Sequence, residues 1–143
     1  MPALTVKRFG AAALASLALA SGGALACQCK PLPLSIRIVG ADVILVGRVS
    51  EVEPLQRVTV QPVEILKGPV SRSAALSISP IGSDCDFFLP PVEAKVGEEF
   101  LLYLRKAKGL KGQFIASTCM QSGPMPEKAD ELAAVRKRLR AKK

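Results

Sequence analysis

"ADVILVGRVSEVE", residues 41–53, is the stretch on which the fold turns. In an extended chain Val43, Leu45, Gly47 and Val49 share one face, and Ile44, Val46 and Arg48 share the other. A half-solvated antiparallel strand puts polar residues along one of its faces. Here both faces are apolar through the first half of the stretch, as in a central strand or a strand of a closed barrel. Gly47 marks a bend or bulge.

The neighbouring segments read as partners for it. "RVTVQPVEILKG" (57–68) alternates with Val58 and Val60 on one side and Arg57, Thr59 and Gln61 on the other. Its parity slips at Pro62, where a bulge is expected, and Val63 and Ile65 are expected to continue the apolar set. Lys67-Gly68-Pro69 is a turn. "AALSISP" (74–80) is a third strand, with Leu76 and Ile78 on one face, and "IGSDCDFFLPP" (81–91) is loop-like. "VGEEFLLYLRK" (96–106) enters a fourth strand from a turn at its start. "KGLKG" (108–112) is a basic hairpin turn, and "QFIASTC" (113–119) is the return strand, ending on Cys119. Five strands at this spacing predict a small closed barrel or sandwich.

Two segments are expected to be helical. Leu34–Gly40 forms a short turn after the alternate prolines Pro31 and Pro33, which themselves favour extended chain. Beyond Pro124 and Pro126 a helix is expected over about 127–141. Glu127, Asp130 and Glu131 stand in its first turns, and Lys and Arg crowd its end, both in the sense the helix dipole favours. Leu132, Val135 and Leu139 form one stripe that can pack on the barrel. No internal repeat or long linker divides the chain, so one domain is expected.

Composition narrows the chemistry. The chain has 143 residues, 49% of them apolar but only 4% aromatic, so the core is mainly aliphatic. It contains no histidine, which removes the commonest general base and the commonest metal ligand. Serine–histidine and cysteine–histidine hydrolase mechanisms are thereby excluded. The carboxylates offer no replacement. Glu98 and Glu99, as strand neighbours, point apart, and Glu51 and Glu53 share a face that reads as charged barrel exterior. Asp84 and Asp86 flank Cys85 in a loop, where solvation is the expected role. The chain is expected not to be an enzyme and to hold no cofactor or intrinsic metal.

The formal net charge is +8. The basic tail reads as a solvated helix end. No aromatics interleave with its charges, as a single-strand binder would require, so no nucleic-acid partner is expected. Weak contact with an anionic surface is the residual expectation for this helix.

The first 26 residues read as an export signal. Lys7 and Arg8 are its basic region, an apolar run covers Ala11–Ala20, and Ala24-Leu25-Ala26 is an A-x-A cleavage site. The apolar run is shorter than a permanent membrane span requires. The mature domain is then 27–143, secreted or periplasmic, and expected to be a monomer. Lipid attachment at Cys27 is the rival expectation. It is disfavoured because Ala24 stands where the consensus has leucine and because it would leave an odd number of thiols.

All four cysteines, Cys27, Cys29, Cys85 and Cys119, follow the cleavage site. An even count in an exported chain reads as disulfides. C-x-C spacing with the other two cysteines far apart does not suit a structural zinc site. A Cys27–Cys29 bond would close a strained ring, which leaves two pairings, each tying the N-terminal pair to Cys85 and Cys119. Each bond closes a loop of dozens of residues, worth about 3–5 kcal/mol in the chain-entropy model. Either pairing makes the mature terminus rigid, where a terminus normally frays.

The mature start "CQCKP" resembles the C-x-C-x-P start of the tissue inhibitors of metalloproteinases. The similarity continues in "ADVILVGRV", "VEILKG", "SDC", "VGEEFLLYL" and the final "STC" before a helix. Across 27–143 the chain resembles the netrin-like, inhibitor-type domain family, in a short one-domain form like those seen in bacteria. The resemblance implies a five-stranded Greek-key barrel of the OB type with flanking helices, and disulfides Cys27–Cys85 and Cys29–Cys119. It also implies an inhibitor of zinc metalloendopeptidases. The free α-amine and carbonyl of Cys27 would chelate the protease's zinc and displace the attacking water. An α-amine has a pKa of about 8, so a neutral fraction is present near neutrality. Gln28 would enter the specificity pocket, Cys29, Lys30 and Pro31 would follow the cleft, and Ser83 and Asp84 would extend the wedge. Gln28 stands where the animal inhibitors carry Thr or Ser, and its larger polar side chain asks for a deeper pocket. Asp84 replaces an apolar residue and brings negative charge towards the cleft. The alternative expectation is a secreted or envelope-associated binding module, in which the doubly bonded terminus is only a staple.

Overall fold

A computed structural model of the chain describes residues 30–53, 57–79 and 94–142. The elements in chain order are α1 (Leu34–Gly40), β1 (Val43–Glu53), β2 (Arg57–Lys67), β3 (Leu76–Ile78), β4 (Glu99–Lys106), β5 (Gln113–Ile115), a 3₁₀ turn (Thr118–Met120), β6 (Gly123–Pro124) and α2 (Ala129–Arg140). The sheet order is β1-β2-β3-β5-β4, and β1 also pairs with β4, so five strands close on themselves. The β3–β5 pair is parallel and the other pairs are antiparallel. The result is an OB-like barrel with a short sixth strand and a C-terminal helix.

The two apolar faces of β1 go to two separate cores. Val43, Leu45 and Val49 point into the barrel with Val58, Val60, Ile78, Leu102 and Leu104. Ile44 and Val46 point outwards, but they are covered together with Leu101 and Tyr103 by Ile38 of α1 and by Leu132 and Val135 of α2. The helices therefore replace solvent on one side of β1 and β4, which is why neither strand shows a polar face there. Leu139 completes the α2 stripe as a partly buried member of the same cluster. Gly47 lies in the barrel wall at a close approach. A Cβ there would sit 2.9 Å from Leu45 Cδ1, 3.2 Å from Leu102 Cδ1 and 3.3 Å from Val60 Cβ.

The β1–β2 ladder steps irregularly at three places, passing over Ser50, Val63 and Leu66. The step at Val63 corrects the expected parity. Pro62, opposite Gly47, is buried and continues the inward set, whereas Val63 turns out to solvent and is 39% exposed. The bulge lies beside the proline, as expected, but its extra residue is the valine. It brings Glu64 opposite Val46, on the helix side of the sheet.

Other boundaries also shift. β3 is only three residues long, and β5 ends at Ile115, so Cys119 lies on the 3₁₀ turn and not on a strand. Ser117 stops the strand locally: its carbonyl accepts from Met120 N at 3.0 Å and its Oγ from Cys119 N at 3.3 Å. β6 follows, with Gly123 opposite Leu101 and Pro124 opposite Phe100. Ser122 Oγ accepts the Tyr103 amide at 2.9 Å. A Gly-Pro pair reads as a breaker in sequence, and only the open edge of β4 makes it a strand. α2 begins at Ala129, after the cis Met125–Pro126 bond, two residues later than expected. No helix among the described residues is long and apolar enough to cross a membrane.

Candidate functional site

The chain enters the described structure as an exposed arm. Lys30, Pro31 and Pro33 are exposed, and Pro33 has φ −53° and ψ 144°, the extended geometry its ring favours. Leu32, between the two prolines, is half-buried and packs with Leu34 against the outer core. The arm then turns into α1, with the Ile36 and Arg37 amides both donating to the Pro33 carbonyl at 3.0 and 3.1 Å. At the far end of α1, Lys67 Nζ donates to the carbonyls of Ile38 (2.7 Å), Val39 (3.3 Å) and Ala41. A seven-residue helix with no side-chain N-cap is thus closed by a lysine reaching from β2.

Arg37 fastens this arm to the rest of the fold. It is only 6% exposed. Its Nε donates to the Leu32 carbonyl at 3.1 Å, and its Nη1 donates to Glu131 Oε1 on α2 at 2.5 Å. The guanidinium carbon lies 5.1 Å from the centre of the Tyr103 ring, in cation–π range. Tyr103 donates its hydroxyl to the same Glu131 oxygen at 2.6 Å, and Lys128 Nζ donates to Glu131 Oε2 at 3.1 Å. One carboxylate therefore receives donors from α1, β4 and the start of α2. No buried side-chain polar atom among the described residues lacks a partner, as a buried ionic network requires.

Burial by itself would push the Glu131 carboxyl up. The donors Arg37, Tyr103 and Lys128 outweigh it and hold the group below its ordinary value. Tyr103 moves up, first because it is buried and then because it donates to Glu131. The sign for stability follows from the depressed carboxyl. Its contribution is present above the unfolded value of about pH 4.3 and is lost as pH falls through the folded value. The melting temperature should therefore fall on acidification below about pH 4. Glu131→Gln, which cannot ionise, should show a shallower fall when both are melted across the same series. Equal slopes would remove Glu131 as the cause.

On the opposite flank of α2, Arg136 forms a two-pronged pair with Glu64, 2.9 Å through Nε and 2.5 Å through Nη2. Hydrogen bonding to Arg136, helped by the charges of Arg72 and Arg140, lowers the Glu64 carboxyl. Part of the basic tail is thus engaged in holding the helix to β2. Other carboxylates are also in structural pairs: Glu99 with Arg48 at 2.6 Å, and Glu53 with Arg57. The basic β4–β5 turn opens a cleft of about 470 Å³ lined by Lys106, Leu110, Lys111 and Phe114, with no carboxylate among the described residues of its wall.

Of the residues the sequence singles out, Lys30 and Pro31 are on the exposed arm. The expected export signal (1–26), Cys27, Gln28, Cys29, Ser83, Asp84 and Cys85 lie outside the described residues. Cys119 is disulfide-bonded, and the three other cysteines all fall outside the described residues, so its partner is not described. Sequence reading missed Arg37, Tyr103, Lys128 and Glu131 as a unit. The available signals were an arginine within the apolar turn "LSIRIVG" and the chain's single tyrosine. A comparison with protein-family models and with curated proteins finds no match to this chain.

Proposed function

We propose that the chain is an exported, non-enzymatic inhibitor of a zinc metalloendopeptidase, acting through the amine and carbonyl of Cys27. In this reading residues 1–26 are removed on export. Cys27–Cys85 and Cys29–Cys119 pin the new terminus, and Gln28, Lys30, Pro31, Ser83 and Asp84 complete the wedge. The observation that carries the reading is the arm just downstream. It is extended and exposed, and its Leu32 carbonyl is held by a buried arginine. A wedge held in its bound shape avoids the ordering cost that a free terminus meets on binding.

The test begins with mass spectrometry of the exported protein, which should show an unblocked Cys27 in a disulfide. That protein should inhibit at least one member of a zinc-endopeptidase panel, and one alanine added before Cys27 should abolish the inhibition. An acylated terminus, or an unblocked one with no inhibition across the panel, would overturn the reading. The second outcome leaves the envelope-associated binding module as the better account.

A further inference from the structure

We propose that Arg37 is a positioning residue that couples the C-terminal helix to the N-terminal arm, so that docking of α2 sets the path along which the arm leaves the barrel. Its guanidinium is shared between two elements far apart in sequence. Nε holds the Leu32 carbonyl on the arm, while Nη1 holds Glu131 on α2. The side chain is planar, so these two donors have a fixed relative direction. Tyr103 supplies the floor beneath it, at 5.1 Å, from a strand buried in the outer core. Glu131 is itself located by Tyr103 and Lys128. Any displacement of α2 therefore moves the guanidinium, and with it the hydrogen bond on Leu32.

Among the described residues, few other contacts hold the backbone of the arm. Pro31 and Pro33 carry no amide hydrogen and cannot donate. α1 has no side-chain N-cap, and its Ile36 and Arg37 amides both return to the Pro33 carbonyl. Leu32 packs on the outer core, which restrains its side chain more than its backbone direction. The charged donor on the Leu32 carbonyl is thus the contact that orients the backbone two residues from Lys30. The coupling of α2 to the arm stands on these contacts alone. Its consequence for protease inhibition rests on the inhibitor reading above.

Arg37→Lys separates the two halves of the contact. A lysine ammonium can still neutralise Glu131, but a single point donor cannot also reproduce the Nε bond to Leu32. Hydrogen–deuterium exchange is followed by mass spectrometry on the intact, disulfide-bonded chain, in peptides covering residues 30–37 and 129–140. Exchange in the first, read on the Ile36 and Arg37 amides that donate to the Pro33 carbonyl, should rise about tenfold as the arm loosens, while the second stays within about twofold of the wild type. Glu131→Gln should loosen both. Val135→Ala, which weakens α2 packing but leaves the hydrogen-bonding groups of the network in place, should loosen both segments together, as the coupling requires.

Unchanged exchange in residues 30–37 of Arg37→Lys overturns the proposal. So does a parallel rise in both segments, since Arg37 would then be a general stabiliser. The same variant is assayed on any protease that the wild type inhibits, where weaker inhibition at an unchanged melting temperature is expected. If the wild type inhibits nothing, the inhibitor reading fails and the exchange result still decides the coupling.

Discussion

Gly68→Ala should destabilise the fold by about 3 kcal/mol, in the range where strain and steric overlap act together. Gly68 has φ +102°, a conformation that costs an L side chain before any contact is considered. A Cβ there would also lie 2.5 Å from the Asp42 carbonyl oxygen and 3.1 Å from Val43 Cα. Both are backbone atoms at the start of β1 and cannot swing aside. Asp42 and Val43 are where β1 meets β4: the Asp42 amide donates to the Leu104 carbonyl at 2.9 Å, and Val43 lies opposite Leu104. Moving them to admit the methyl would open the seam that closes the barrel. Gly109 is the matched control, because it too has positive φ, +80°, but nothing within 4 Å of its Cβ site. Gly109→Ala should cost about 1 kcal/mol, the backbone penalty alone. Urea unfolding with the disulfides intact gives both values, and equal losses would show that the contact at Asp42 is not the cause.

Glu131→Ala is expected to cost about 3–5 kcal/mol, the loss found when one member of a buried ion pair is removed. The side chains of Arg37 and Glu131 are only 8% and 19% exposed. Without the carboxylate, the Arg37 charge stays in the outer core with the Leu32 carbonyl as its remaining acceptor, and the Tyr103 hydroxyl loses its partner. The cost is chiefly that of the stranded groups and not the net worth of the pair. Removing both charges in Arg37→Met/Glu131→Leu should therefore recover a large part of the loss, since well-packed apolar replacements of buried pairs are often neutral. With Arg37→Met and Glu131→Leu also made singly, the wild type and these three variants form a double-mutant cycle. Losses that simply add in the double variant would mean that the two side chains act independently, contrary to their 2.5 Å contact.

Much of the barrel is legible in the chain because strand alternation is a local pattern. β1, β2 and β4 appear where the alternation places them, and the two-sided apolar character of residues 43–46 is explained by a barrel interior on one side and two helices on the other. α1 has the expected bounds, and the α2 stripe of Leu132, Val135 and Leu139 packs as its spacing requires. Val63 escaped because a bulge changes parity by one residue. Pro62 marks its neighbourhood without saying which residue is expelled. β6 escaped because two residues carry no period, and the strand exists only by pairing with Phe100 and Leu101.

The candidate site divides in the same way. Its cysteine spacing and its proline-framed arm are matters of sequence, since C-x-C forbids a comfortable mutual bond and alternate prolines keep the chain extended wherever it docks. The sequence by itself thus determined a histidine-free composition, a set of alternating strands and an amphipathic last helix, all of them properties of the chain read locally. Only the tertiary structure decided what holds the arm. Arg37 and Glu131 are 94 positions apart, and no local pattern announces their meeting. Closure of the barrel puts Tyr103 between the two helices, and an arginine buried there must find a carboxylate because an unpaired charge in that layer is too costly to leave.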